Sequence, residues 1–166
     1  MQKTKTKISK SKKIEQPKIS VVKNKGKIFC DVNKCIACHT CELACVVEHS
    51  ISKNLFTAIL EEKLAQKKRE VGYITQDKTL SISCQNCREP LCLSACMSGA
   101  MHKDNEGKVI CDIDQCVGCW MCIMVCPYGS ITRDVFKKKA NKCDFCPDRD
   151  DYACVVSCPT KALSVK

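Results

Sequence analysis

Cys116–Pro127 reads Cys-Val-Gly-Cys-Trp-Met-Cys-Ile-Met-Val-Cys-Pro. The spacing C-x2-C-x2-C-x3-C-P puts three thiols within seven residues and a fourth about one helical turn later. Three further groups follow the same plan. Cys35, Cys38, Cys41 and Cys45 repeat the tight spacing. Cys84, Cys87, Cys92 and Cys96 are separated by x2, x4 and x3, and Cys143, Cys146, Cys154 and Cys158 by x2, x7 and x3. Sixteen of the 18 cysteines therefore stand in four quartets, and every quartet closes with the same three-residue gap. Chance placement does not produce that regularity.

The tight run is the one that bacterial ferredoxins use to hold a [4Fe–4S] cluster. A cubane has four irons, each taking one thiolate, and three cysteines in seven residues let a single loop wrap three of them. In two-cluster ferredoxins the fourth cysteine serves the other cluster, so Cys126 predicts a partner motif elsewhere. The quartets are enough for four [4Fe–4S] clusters. Two other chemistries use many cysteines. A disulfide scaffold wants a secretory signal, and the N-terminal stretch has no apolar core, no twin-arginine pair and no cleavage site. No run of 18 apolar residues suggests a membrane span, so a reduced, cytoplasmic protein is expected. Structural zinc also takes four thiolates, but it does not need three in seven residues, and that crowding occurs twice.

Charge is placed unevenly. The formal net charge is +10. Residues 1–27 hold ten lysines and one acid, Glu15, whereas 28–166 are nearly balanced with 18 basic and 17 acidic residues. A [4Fe–4S] core with its four thiolates carries −2, so four clusters take the body to about −7. Residues 1–20 read as a disordered, Lys-rich tail, solvated or docking an acidic surface. Nucleic acid is not an expected partner, because no Arg or aromatic residue is interleaved with the lysines. Aromatic residues are only 5% of the chain. So sparse a core needs staples. Clusters are such staples, and removing the iron should unfold the chain.

An internal repeat is visible without any alignment. Ile19–Val22 and Lys27–Phe29 flank the turn Lys23-Asn24-Lys25-Gly26, and Ala100–Lys103 and Lys108–Cys111 flank Asp104-Asn105-Glu106-Gly107. A tight quartet follows each predicted hairpin. The repeat aligns Cys30 with Cys111, the two cysteines left over. Each reads as packing beside a ligand, or else as a substitute ligand or redox thiol. It also aligns His39 with Trp120, either loop surface or groups that tune and shield a cluster. Residues 46–83 form the one long insertion. Leu55, Ile59, Leu60 and Leu64 recur at helical spacing and predict an amphipathic helix over 54–70, capped by Ser52 or Asn54. His49 has no second ligand candidate nearby and reads as structural. Asp148–Asp151 reads as a solvated loop. Residues 162–166 read as a short strand lacking its own hairpin mate, which the N-terminal hairpin could supply.

From residue 28 onward the chain resembles the four-cluster, 16-cysteine electron-transfer subunits of anaerobic oxidoreductases. Those subunits serve carbon monoxide dehydrogenase, hydrogenase, formate dehydrogenase and molybdopterin reductases. Glu48-His49-Ser50, Ser52-Lys53-Asn54-Leu55-Phe56, Gly118-Cys119-Trp120-Met121-Cys122 and Met124-Val125-Cys126-Pro127 make it most similar to the iron–sulfur subunit of carbon monoxide dehydrogenase. The resemblance implies an α+β fold of two ferredoxin-like dicluster domains with short hairpins and short helices. Residues 21–45 and 127–166 would form the first domain, 84–126 the second, and 46–83 a helical insertion. It also implies that fourth cysteines are exchanged within each domain. Cys35, Cys38 and Cys41 would share a cluster with Cys158; Cys84, Cys87 and Cys92 with Cys126; Cys116, Cys119 and Cys122 with Cys96; and Cys143, Cys146 and Cys154 with Cys45.

The implied function is relay of single electrons between a catalytic subunit, carbon monoxide dehydrogenase above all, and an acceptor such as a hydrogenase or other oxidoreductase. The alternative is service to a formate dehydrogenase, hydrogenase or molybdopterin reductase. No catalytic residue is assigned: the chain offers no Gly-rich nucleotide fingerprint, Ser–His–Asp set or open metal site. The family pattern places Pro after each fourth cysteine. That holds at Pro127 and Pro159, but Val46 follows Cys45 and Met97 follows Cys96. The C-terminal anchor helix of membrane-bound relatives is missing, so attachment to a membrane complex would run through a partner.

Overall fold

The computed structural model describes residues 26–62 and 66–166. The Lys-rich tail and the Ile19–Val22 arm of the predicted first hairpin lie outside the described residues. In chain order the elements are β1 (Ile28–Cys30), α1 (Thr40–Glu48), α2 (Leu55–Leu60), β2 (Glu70–Thr75), β3 (Lys78–Ile82), α3 (Leu91–Ser94), β4 (Met101–Lys103), β5 (Val109–Cys111), α4 (Met121–Met124), β6 (Ile131–Asp134), β7 (Lys139–Lys142), α5 (Ala153–Val156) and β8 (Leu163–Val165). Short strands and short helices alternate, giving the expected α+β ferredoxin-like architecture. No described helix is long and apolar enough to cross a membrane.

The strands form four two-stranded antiparallel sheets. β4 and β5 make the predicted hairpin, with Met101 opposite Cys111. The Asp104 carboxylate fixes its turn by accepting the N–H groups of Glu106 at 2.9 Å and Lys108 at 2.8 Å, an Asx turn that the Asp-Asn-Glu-Gly sequence favours. β1 pairs with β8, Ile28 opposite Val165 and Cys30 opposite Leu163. The N-terminal segment thus supplies the mate that the last strand lacked. The Lys27 N–H extends this ladder to the Lys166 carbonyl at 2.7 Å. β6 and β7 form a further hairpin, closed by the Asp134 carboxylate on the N–H groups of Phe136 and Lys137.

The three-residue gap that ends each quartet has one structural cause. The last two cysteines of a quartet are four apart, so they fall on one face of a helical turn. α1 carries Cys41 and Cys45; α3, α4 and α5 carry Cys92, Cys122 and Cys154, with Cys96, Cys126 and Cys158 just past their ends. α1 packs on α5, and α3 on α4.

Cysteines supply much of the interior. One core gathers Ile28, Cys41, Cys84, Cys143, Phe145, Tyr152, Cys154 and Leu163. Phe145 and Tyr152 meet edge to face, 6.3 Å between centroids. A second core gathers Ala100, Met101, Cys116, Cys122, Ile131 and Ala140.

The insertion departs from the predicted helix over 54–70. Asn54 does cap a helix, accepting the N–H groups of Phe56 at 3.0 Å and Thr57 at 3.3 Å. That helix ends at Leu60. The Glu62 carboxylate then turns the chain back by accepting the N–H groups of Ile51 and Ser52, each at 2.9 Å. Only Ala58 of α2 is buried, while Phe56, Ile59 and Leu60 are exposed. The apolar stripe has no core beneath it, so nothing prolongs the helix. The chain instead enters the β2–β3 hairpin, which packs against the first core through Val71.

Candidate metal centres

The cysteine loops are built on left-handed backbone. Ala37 (φ 52°) and His39 (φ 57°) flank Cys38, and Gly118 (φ 71°) and Trp120 (φ 66°) flank Cys119. Phe145 (φ 63°) and Cys146 (φ 48°) do the same work in the last quartet. Such residues curl successive N–H groups around an anion. At Gly118 the need for glycine is also steric, since a Cβ there would lie 2.3 Å from the Lys138 carbonyl oxygen.

Distant cysteines are brought together. Cys35, Cys38, Cys41 and Cys158 line one cavity, with Cys30 beside them. Cys96, Cys116, Cys119 and Cys122 line another, with Cys111 beside them. Cys45 lies within electrostatic reach of Cys143, Cys154 and Cys146, and Cys92 of Cys84, Cys126 and Cys87. The sulfurs surround spaces rather than converge on a point: among the described residues no three Cys, His, Asp or Glu side chains are close enough to hold one metal ion.

Burial and neighbouring thiolates push the Cys45 thiol up to about 12. Cys122, Cys143 and Cys146 rise to about 11, burial being the main cause in each. These four thiols are therefore protonated at neutral pH until a cluster takes them, and their binding to it releases protons. Three of the fourth cysteines behave oppositely. Burial pushes Cys96, Cys126 and Cys158 up, but hydrogen bonds outweigh it and leave each below the ordinary thiol range. The Met101 N–H reaches Cys96 Sγ at 3.4 Å, the Ser130 hydroxyl lies 3.4 Å from Cys126 Sγ, and the Thr160 hydroxyl lies 3.7 Å from Cys158 Sγ. Hydrogen bonds of this kind set the potential of a bound cluster.

Two buried polar atoms, Arg69 Nη2 and Ser83 Oγ, have no hydrogen-bond partner among the described residues. Ser83 directly precedes Cys84. Arg69 is only 4% exposed and faces the sulfurs of Cys154, Cys41, Cys143 and Cys45. A guanidinium so placed requires an anion, and a thiolate-bound cluster is one. The donor set fits [4Fe–4S] clusters.

Sequence reading missed the charged side chains that brace these loops. Both ring nitrogens of His49 face acceptors: Nδ1 lies 2.7 Å from the Cys45 carbonyl and Nε2 lies 3.0 Å from Asp144 Oδ1. The Lys68 ammonium also donates to Asp144, at 2.5 Å. His49 is structural, as expected, but it ties the first quartet to the last. Burial pushes the Asp144 carboxyl up; the His49 hydrogen bond and the Lys68 charge outweigh it and hold it well below the usual carboxylate range. Arg149, in the loop that reads as solvated, donates to Glu48 at 2.9 Å and to Asp151 at 2.7 Å. The only sequence signal for these contacts is a cluster of charged residues around the cysteines. His39 is half-exposed and pairs with Glu42 at 3.1 Å. Arg133 lies over the Trp120 ring, 4.8 Å from its centroid. Cys30 Sγ accepts the Ser81 N–H at 3.4 Å.

The family model described as "4Fe-4S dicluster domain" matches residues 75–166. The B subunit of the anaerobic dimethyl sulfoxide reductase of Escherichia coli (strain K12) is 40% identical over 143 residues, covering 81% of this protein and 70% of that subunit. The electron transport protein HydN of the same organism is 35% identical over 152 residues, covering 82% of this protein and 85% of HydN. An iron-sulfur protein of Rhodospirillum rubrum is 34% identical over 153 residues, covering 82% and 79% of the two sequences. The specific likeness to a carbon monoxide dehydrogenase subunit has no counterpart among these relatives. With its quartets, anion-seeking cavities and these relatives, the chain belongs to the ferredoxin-like dicluster [4Fe–4S] family of oxidoreductase electron-transfer subunits, and it carries four such clusters.

Proposed function

We propose that the four clusters are held by exchanged ligand sets. Cys35, Cys38, Cys41 and Cys158 hold one, and Cys143, Cys146, Cys154 and Cys45 hold its neighbour. Cys84, Cys87, Cys92 and Cys126 hold the third, and Cys116, Cys119, Cys122 and Cys96 the fourth. The observation that carries this reading is the pair of cavities, each lined by three cysteines of one quartet and the last cysteine of another. When bound, each cluster accepts and returns one electron. The protein's part is to space the clusters, exclude water and set their potentials.

The chain relays single electrons between a separate catalytic subunit and a redox partner. Carbon monoxide dehydrogenase is the catalytic partner favoured by Glu48-His49-Ser50, Ser52–Phe56 and Gly118–Cys122. The 40% identity to a dimethyl sulfoxide reductase subunit favours a second reading, a molybdopterin-type reductase. Anaerobic purification from the native cell, with identification of what co-purifies, separates them. Recovery with carbon monoxide dehydrogenase supports the first. Recovery with a molybdenum or hydrogenase catalytic subunit overturns it and keeps the relay. A chain that turns over substrate alone overturns the relay itself.

A further inference from the structure

Among the described residues, the buried cationic side chains are Arg69, 4% exposed, and Lys142, 5% exposed. Neither pairs with a described carboxylate. Arg69 leads into β2 from the insertion. Its Nε donates to Ser81 Oγ at 2.9 Å, and that hydroxyl lies 3.3 Å from Cys41 Sγ. Its Nη2 has no partner among the described residues. Around it stand Cys41 of the first quartet's set and Cys45, Cys143 and Cys154 of the neighbouring set. Lys142 ends β7. Its ammonium donates to the Val109 carbonyl and, at 3.0 Å, to the Cys143 carbonyl, and it lies 5.1 Å from the Phe145 ring centroid. Its charge acts on the sulfurs of both Cys143 and Cys92. Each cation therefore lies within electrostatic reach of the sulfurs of two different ligand sets.

A buried charge is tolerated only where an opposite charge repays its lost hydration. Here the opposite charge is a thiolate-ligated cluster, and it grows by one unit on reduction. In a medium of low dielectric a nearby cation favours the more negative state strongly. We propose that Arg69 and Lys142 are shared counter-ions of the cluster chain, each raising the reduction potential of two clusters at once. Arg69 serves the sets containing Cys41 and Cys45. Lys142 serves the sets containing Cys143 and Cys92. The set containing Cys143 and Cys45 is common to both. The inference rests on the exchanged ligand sets proposed above.

The test is a redox titration of the full chain, loaded with iron under anaerobic conditions and followed by electron paramagnetic resonance. In Arg69→Gln the iron content should equal wild type while two midpoints move negative. At a fixed poise the reduced-to-oxidised ratio of each should fall about tenfold, a shift of about 59 mV for a one-electron couple. Lys142→Gln should move two midpoints likewise, one of them the same, and the double variant should move that shared cluster furthest. Arg69→Lys keeps the charge and should hold both midpoints near wild type. Full iron with unmoved midpoints overturns the proposal. So does Arg69→Lys moving either midpoint negative by the tenfold expected for charge loss, a result that decides the matter even if the Gln variant fails to load. Failure of the ligand sets shows differently, as wild-type protein that binds fewer than four clusters.

Discussion

The first and third quartets begin alike and end differently. Both follow a short strand that ends in a non-quartet cysteine, both space their ligands identically, and both place left-handed residues on either side of the second cysteine. After the fourth cysteine they part. α4 ends at Met124, and Pro127, which follows Cys126, bars the helical hydrogen-bond ladder from resuming. The chain turns at Gly129 (φ 58°) and brings the Ser130 hydroxyl to Cys126 Sγ. Val46 follows Cys45, and α1 runs on to Glu48. Cys45 has the His49 ring Nδ1 at 3.8 Å where its counterpart has Ser130, and it also takes the Lys68 N–H at 3.4 Å. The longer helix delivers Glu48 to Arg149 and His49 to Asp144, which lash the first quartet to the last. Proline alone is not the switch, because Cys96, followed by Met97, keeps its own loop's donors; what sets Cys45 apart is the longer helix α1 and the Lys68 N–H from the insertion.

The largest effect expected from breaking this comparison is on cluster content. Cys45→Ser and Cys126→Ser should each remove one whole cluster, a quarter of the iron, and each loss should fall on the set completed from another quartet. Iron analysis with Mössbauer spectroscopy of the anaerobic protein reads this. Loss of the cluster held by the substituted cysteine's own three neighbours would refute the exchange. Next comes Val46→Pro, which should shorten α1 to the length of α4 and cost about 3 kcal/mol or more. Pro127→Val, lying beyond the end of α4, should stay within about 0.5 kcal/mol. Denaturant titration of the loaded protein measures both.

What is legible in the sequence depends on which residues face inward. The quartets, the β4–β5 hairpin and the meeting of Ile28–Cys30 with Leu163–Val165 are legible because thiol spacing, an Asp-Asn-Glu-Gly turn and a strand without a mate all have direct physical meanings. The β2–β3 hairpin is not. Strand prediction looks for apolar residues alternating inward, but β3 buries Thr79 and Ser81, and β2 leaves Tyr73 and Ile74 exposed. β7 likewise buries Asn141 and Lys142. Around an anionic cluster the interior wants hydrogen-bond donors and cations, so the ordinary hydrophobic pattern is partly inverted. That inversion hides Arg69.

Two smaller effects sharpen the contrast. The lash at Asp144 is pH-dependent. Its carboxyl sits below the free range in the folded state, so its contribution is complete above the unfolded value near pH 4 and disappears as pH falls toward the folded one. Asp144→Asn should cost about 2 kcal/mol at neutral pH, and the difference from wild type should shrink on acidification. A difference that grows instead would mean that Asp144 is not ionised in the fold. Smallest of all is the pair at the tips of the two loops. Trp120→Ala loses the Arg133 stack and should cost about 1 kcal/mol. His39→Ala loses a half-exposed imidazole from the buried Glu42 carboxylate, which keeps Lys67 and the Val71 N–H as partners, and should cost less than about 1 kcal/mol. Thermal melts of the two variants, run together, rank them.

Pairing Ile28–Cys30 with Leu163–Val165 imposes an order on manufacture. The ribosome delivers the first strand early and its mate only after the intervening chain, about 7 to 27 seconds later at roughly 5–20 residues per second. The β4–β5 hairpin and its surroundings are complete well before that. Under the exchanged ligand sets proposed above, a nascent chain offers its middle quartets, Cys84 to Cys126, for filling first, while Cys35, Cys38 and Cys41 wait for Cys158.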